Sequence, residues 1–333
     1  MRNIYRRAGL KENDSVKISV NQEALQLVRT LCDQADKYGV KVSRTSLGAL
    51  QIDAGIDALG GYSAGRIITE ICMGGLGRAS ISSMMFGGIT LPAVSVYTDH
   101  PAVSTLGSQL AGWRVKFDDY VAVGSGPARA LALKPKSIYR EIGYKDESSE
   151  AILVLETSKE PPEEAVSLVA KSCNVSPKNL YLILVPTSST TGFTQIAGRA
   201  AETGIHKMAS LGFDPKTIRN AWSCAPILPI HPDYVEAMGR SNDAILYGGS
   251  AYYNVYCEDE KALEEIVPKA VSSSSEQYGR PFSEIFREAG MDFYKIDPGL
   301  FAPAQITVNN LKTGRTFTAG EINHKVIKKS IGL

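Results

Sequence analysis

The stretch AILVLETSKEPPEEAVSLVAKSCNVSPKNLYLILV, residues 151–185, carries the fold in miniature. Residues 152–155 are an unbroken apolar run of the length of a buried strand. Pro161 and Pro162 then open a helix to about Cys173, since proline fits the first helical turn. Residues 180–185 are a second apolar run. Strand, helix and strand in close succession point to α/β layering.

The same alternation extends outward. Asn21 to Tyr38 reads as a helix, with Ala24, Val28, Leu31 and Ala35 at helical spacing and Gly39 as a stop. Residues 40–42 and 50–52 read as short strands, and 63–73 as a helix ending at Gly74-Gly75. Residues 93–97 form a strand, and Pro101 sits where a helix would start. Residues 120–123 form another strand, running into Gly124-Ser125-Gly126-Pro127. Downstream, one long helix is expected over 190–211, then helices over 234–246, 262–271 and 281–289. A hairpin over 305–318 turns at Lys312-Thr313-Gly314. The expectation is an α/β fold whose strand order is not readable. No repeat of fixed period appears.

The 333 residues correspond to about two domains. Lys+Arg is 36 against Asp+Glu 35, a formal net charge of +1. So balanced a chain has no global field for nucleic acid or an anionic membrane, and charged ligands must be met locally. No apolar run reaches the roughly 18 residues of a membrane span. The basic stretch MRNIYRRAGLKEND has no apolar segment behind it and does not read as a secretory signal. Cys32, Cys72, Cys173, Cys224 and Cys257 are scattered and odd in number, which favours a reducing cytoplasm. The four histidines show no metal-ligand spacing, so no metal is expected from local pattern.

Several segments are candidates for chemistry. On the expected helix 190–211, Gln195, Arg199, Glu202 and His206 share one face. Arg199 and Glu202 lie three apart and can touch. An adjacent arginine lowers a carboxylate pKa while burial raises it, so a glutamate under both influences suits proton transfer. An exposed ion pair is the plainer reading. Ser125, Gly126 and Arg129 lie at a strand-to-helix turn that suits an anion. Gly74 and Gly75 allow close backbone approach. Asp99 and His100 sit at a strand end. Asn242 and Asp243 lie mid-helix, where poor helix formers suggest a break or a ligand contact.

Together, TEICMGGLG (69–77), SVYTDHPA (95–102), GSGPARAL (124–131), GRAAETGIHK (198–207) and GRSNDAILYGG (239–249) resemble the methenyltetrahydromethanopterin cyclohydrolase family. The similarity runs from about Asn21 to about Asn323. It implies two α/β lobes with a pocket between them; the expected split is 1–186 and 187–333, with exchange of segments between lobes open. It implies reversible hydrolysis of the N5,N10-methenyl group of tetrahydromethanopterin to the N5-formyl form, in methanogenesis or formaldehyde oxidation. The substrate is a small pterin. The resemblance also implies that no metal or cofactor is needed and that the assembly is usually a homo-oligomer, often a trimer; the charge balance and scattered cysteines add the expectation of no nucleic acid, no membrane and a cytoplasmic location. The family's reaction-centre arginine and glutamate match Arg199 and Glu202. On chemical grounds Glu202 is then the acid/base, and Arg199 positions it and adjusts its pKa. Asn242 and Asp243 are candidates for the pterin ring, Ser125, Gly126 and Arg129 for the phosphate-bearing tail, and Gly74 and Gly75 for the pocket lining. The alternatives are a non-catalytic pterin-binding subunit and another pterin one-carbon enzyme such as a formyl transferase.

Overall fold

A computed structural model describes residues 18–333; the basic stretch 1–14 lies outside the described residues. Its strands are β1 (Lys41–Arg44), β2 (Leu50–Asp53), β3 (Gly77–Phe86), β4 (Ile89–Thr98), β5 (Trp113–Phe117) and β6 (Tyr120–Ser125), then β7 (Ala151–Glu156), β8 (Leu180–Val185), β9 (Ile218–Pro226), β10 (Ser250–Val255), β11 (Gln305–Asn310) and β12 (Thr316–Gly320). They form two six-stranded mixed sheets, ordered β1-β2-β8-β7-β6-β5 and β12-β11-β10-β9-β4-β3. The molecule is thus two α/β lobes.

The opening stretch lies at the centre of the first sheet. β7 and β8 pair in parallel, Ala151 opposite Leu180 through Glu156 opposite Val185. Helix Glu163–Cys173 makes the crossover. Side chains alternate across a strand. Ile152, Val154, Ile183 and Val185 therefore pack on one face with Val28 and Leu31 of helix Val20–Asp33 and Ile67 and Ile71 of helix Tyr62–Cys72. Leu153, Leu155, Leu182 and Leu184 pack on the other with Val166 and Val169. Burial on both faces explains why these runs are apolar throughout.

The second sheet buries one face and leaves part of the other exposed. Ala251, Tyr253 and Val255 of β10 face the core, while Tyr252 stands out to solvent. Tyr97, Trp222 and Tyr252 lie opposite one another across β4, β9 and β10 and form an exposed aromatic row. Sheet membership alternates along the chain, because the β3–β4 hairpin joins the second sheet although β5 to β8 return to the first. A cut at residue 186 therefore does not follow the sheets.

The long helix expected over 190–211 is two helices, Thr190–Ala197 and Ala200–Ser210. Gly198 lies against Thr69, where a Cβ would come within 2.6 Å of the threonine methyl. The Ala201 N–H, freed by the break, donates to Ser223 Oγ of β9 at 3.0 Å. Both halves keep an apolar stripe, so periodicity alone could not reveal the junction. Conversely, Gly239 to Asp243 do not break helix Tyr234–Leu246. Ser241 Oγ and Asn242 Nδ2 donate back to the Met238 carbonyl at 3.0 and 2.8 Å, which satisfies them within the helix. The region after Pro101 is a π-helix, Ala102–Gln109. β3 is a ten-residue strand that its mixed, serine-rich sequence did not announce.

Candidate active site

A cavity of about 840 Å³ opens between the lobes. The first lobe contributes residues 120–123 of β6 and the segments just beyond the C-terminal ends of β7 and β8. Ligands in α/β folds gather at strand C-termini. The second lobe contributes Met238, Asn242 and Ile245 from helix Tyr234–Leu246, and the rings of Phe293 and Phe301. Between them stand Arg199, Glu202, His206 and Lys207, brought to the wall by the helix junction and the helix after it.

Glu202 lies in the first turn of helix Ala200–Ser210, whose N-terminal dipole favours a negative charge. Its side chain is buried, and burial pushes its carboxyl above the usual glutamate range. The charges of Arg199, His206 and Arg129 pull the other way, in that order of effect. Among the described residues Glu202 forms no ion pair within 4.0 Å. The three-residue spacing does not make a direct pair, because Arg199 sits at the junction and not on a continuous helix.

The Arg199 guanidinium is instead held by neutral oxygens. Nε and Nη2 donate to Gln195 Oε1 at 3.1 and 2.9 Å, Nη1 to the Gln109 carbonyl at 2.6 Å, and Nη2 also to Ser125 Oγ at 3.0 Å. Gln109, at the end of the π-helix, also steadies the junction by donating from Nε2 to the Gly198 carbonyl at 3.0 Å.

The structure brings Arg199, Glu202 and Asn242 to one cavity, with Ser125 behind Arg199. It places the other sequence candidates elsewhere. Arg129 is fully buried and donates to the carbonyls of Leu106, Ser108 and Lys134. The Gly126 N–H donates to the Ser108 carbonyl at 2.8 Å, so the turn faces inward and offers no anion cradle to the cavity. Asp243 is buried and accepts from the Phe282 N–H at 2.9 Å and the Ser330 hydroxyl at 2.6 Å. Its carboxyl is pushed up to about 7, mainly by burial. Gly74 and Gly75 adopt positive φ in the turn after helix Tyr62–Cys72, where a Cβ would run into Val20 and the Glu23 backbone. They serve helix packing. Asp99 accepts from Asn220 Nδ2 at 2.7 Å on the second sheet.

Sequence reasoning missed Gln109 altogether and gave Gln195 a face but no role. It also missed Lys159 and Lys207, the lysines of the cavity wall. The polar TSKE that follows the buried run of β7 was the available signal for Lys159. Among the described residues no three His, Cys, Asp or Glu side chains gather as a metal site, and no helix is long and apolar enough to cross a membrane.

A buried carboxylate and an oriented guanidinium on the wall of an interlobe cavity define an α/β protein suited to proton transfer on an enclosed ligand. The sequence comparisons narrow that class: the cyclohydrolase (MCH) family model matches residues 19–331, and the chain belongs to that family. It is 44% identical over 316 residues to the methenyltetrahydromethanopterin cyclohydrolase of Methanococcoides burtonii, covering 95% of this chain and 99% of the relative. The enzyme of the same name from Methanothermobacter thermautotrophicus is 45% identical over 319 residues, covering 95% and 100%. That from Methanocaldococcus jannaschii is 45% identical over 318 residues, covering 95% and 98%.

Proposed function

We propose that the protein adds water to N5,N10-methenyltetrahydromethanopterin and opens it, reversibly, to the N5-formyl compound, with Glu202 as acid and base. Family membership and near-complete coverage of cyclohydrolase relatives support the substrate. The observation that carries the chemistry is Glu202 itself, a buried carboxylate on the cavity wall under the opposed influences of burial and Arg199.

The methenyl carbon lies between two nitrogens that share a positive charge, so it is already electrophilic. The water oxygen bonds to it while Glu202 takes one water proton. Arg199 orients the oxygen and stabilises charge developing on it. The C–N10 bond then breaks, and Glu202 returns its proton to N10. The remaining hydroxyl proton leaves to solvent as the formyl C=O forms, so one proton is released per turnover. A carboxyl raised above the usual glutamate range by burial is a better base than an exposed one and can return the proton, which suits both directions of transfer.

Asn242 and the rings of Phe293 and Phe301 suit the pterin and its arene neighbour. The anionic tail is assigned to Lys159 and Lys207, exchanged for the inward-facing turn at Arg129. Burial and Asp297 act oppositely on Lys207, and burial prevails to hold its ammonium below the usual lysine range. The exposed row of Tyr97, Trp222 and Tyr252 supports a homo-oligomer, expected as a trimer, built on the exposed part of the second sheet. The thiols of all five cysteines are free, in keeping with a reducing cytoplasm.

The deciding experiment follows loss of the methenyl chromophore with wild type and Glu202→Gln, on tetrahydromethanopterin and tetrahydrofolate substrates side by side. Hydrolysis of the first substrate by wild type, lost in the variant, is expected. No hydrolysis by wild type would leave a binding subunit or a transferase.

A further inference from the structure

We propose that Gln195 is a positioning residue: it holds the Arg199 guanidinium through a neutral oxygen, so that the undiminished charge of Arg199 bears on Glu202 and on the attacking water. This rests on the reading of Arg199 and Glu202 as the reaction centre.

A guanidinium has five N–H donors, and the Nε/Nη2 edge is the fork that ordinarily receives a carboxylate. Here that fork closes on Gln195 Oε1, at 3.1 and 2.9 Å. The remaining partners, the Gln109 carbonyl and Ser125 Oγ, are also neutral. Four of the five donors are thereby used, one Nη1 hydrogen is left, and no partner cancels the charge. Behind Arg199, the Arg129 guanidinium is likewise bonded only to carbonyls. Among the described residues neither arginine takes part in an ion pair.

Two buried arginines thus act at a distance on Glu202, together with His206 one turn along its own helix. In a low-dielectric interior an uncancelled charge reaches further than in water. A glutamate at position 195 would make a better hydrogen bond to the same fork and would cancel the charge. Glutamine gives the geometry without the cancellation. Gln195 ends a turn of helix Thr190–Ala197, and Gly198 bends the chain immediately after it, which turns the Arg199 side chain back over the amide.

The test compares Gln195→Glu, Gln195→Met and Glu202→Gln with wild type, in kcat, KM, the pH dependence of kcat and thermal melting. Gln195→Glu keeps both hydrogen bonds, so a purely structural clamp would leave activity intact and melting unchanged or higher. The proposal expects a folded protein whose acid limb moves up by about one pH unit or more, from loss of Arg199's charge and the new neighbouring carboxylate. It expects kcat near neutrality to fall ~10-fold or more with KM within ~3-fold of wild type. Gln195→Met fills similar space without an acceptor; kcat should fall while the acid limb moves less than in Gln195→Glu. Should the glutamate variant not fold, the methionine variant decides alone, with wild-type kcat overturning the proposal and a kcat-only loss supporting it. A wild-type pH profile and kcat in Gln195→Glu, beside an inactive Glu202→Gln, overturns the role of Gln195 alone. An active Glu202→Gln overturns the reaction centre on which the role depends.

Discussion

Arg199 Nη2 donates to Ser125 Oγ at 3.0 Å, tying the junction between two helices to the end of β6 across 74 residues of sequence. The bond makes one lobe responsible for the aim of a side chain carried by an element at the lobe boundary. Ser125 also meets Cys72 Sγ at 3.6 Å, so its hydroxyl has a partner on each side. Replacing Ser125 with Ala leaves one buried N–H of a charged group unmet, at a cost of about 1–3 kcal/mol. We expect a lower melting temperature and a several-fold lower kcat. Chromophore assays and melts on the one variant check both, and unchanged kcat would show that the remaining three bonds hold Arg199 unaided.

Glu202 has a stability signature opposite to that of a surface carboxylate. Burial raises its folded-state pKa above the unfolded value of 4.5. Its favourable contribution is therefore complete below that value and is lost as pH rises through the folded pKa. Glu202→Gln should match wild type in stability near pH 4 and exceed it progressively above, by ~1.4 kcal/mol for each pH unit that separates the folded from the unfolded pKa. Denaturant melts across that range read the difference, and parallel curves would mean that Glu202 ionises without penalty.

Asp243 behaves similarly on the buried side of the helix that carries Asn242 to the cavity wall. Its carboxyl is raised from 3.8 to about 7, mostly by burial, with the Ser330 and Phe282 hydrogen bonds opposing. The stability it contributes is present below the unfolded value and disappears as pH climbs toward 7. Asp243→Asn keeps an acceptor for Phe282 or Ser330 and removes the charge. Above pH 7 it should gain up to roughly 4 kcal/mol relative to wild type, about three pH units at ~1.4 kcal/mol each. Melting temperatures at pH 5 and pH 8.5 test this; an equal gap between the two proteins at both values contradicts it.

Gly198→Ala places a methyl 2.6 Å from Thr69 Cγ2. The backbone there has an ordinary helical φ of −67°, so the penalty is contact and not strain. Overpacking of this kind costs ~1–3 kcal/mol. Because the junction aims Arg199, kcat should fall along with stability. Adding Thr69→Ser, which removes the offending methyl, should restore part of both. Melting and kcat of the single and double variants provide the check, and no recovery would place the cost elsewhere.

Much of the fold was legible because burial leaves a period. β7, β8 and helix Glu163–Cys173 were readable from their apolar runs and from Pro161-Pro162, and the hairpin of β11 and β12 from its turn. The junction at Gly198 was not, since its cause is Thr69 on another helix. β3 was hidden because residues 80–85 are exposed or half-buried and supply no alternation. In the site, Arg199, Glu202 and Asn242 were named from type and spacing. Arg129 and Asp243 were named on the same grounds, but Arg129 Nε and Nη1 are taken by carbonyls and Asp243 by an N–H and a hydroxyl that only tertiary contact supplies. Gln109 lies 90 residues from Arg199, beyond any local pattern.

The chain enters the first sheet with β1 and β2, crosses to the second for β3 and β4, returns for β5 to β8, and crosses again for β9 to β12. Three covalent crossings join the lobes. No single cleavage yields two whole halves, so neither lobe is a portable module that recombination could lift out by one break or append at a terminus. Inheritance is bound to treat the two walls of the cavity, and the chemistry between them, as one indivisible unit.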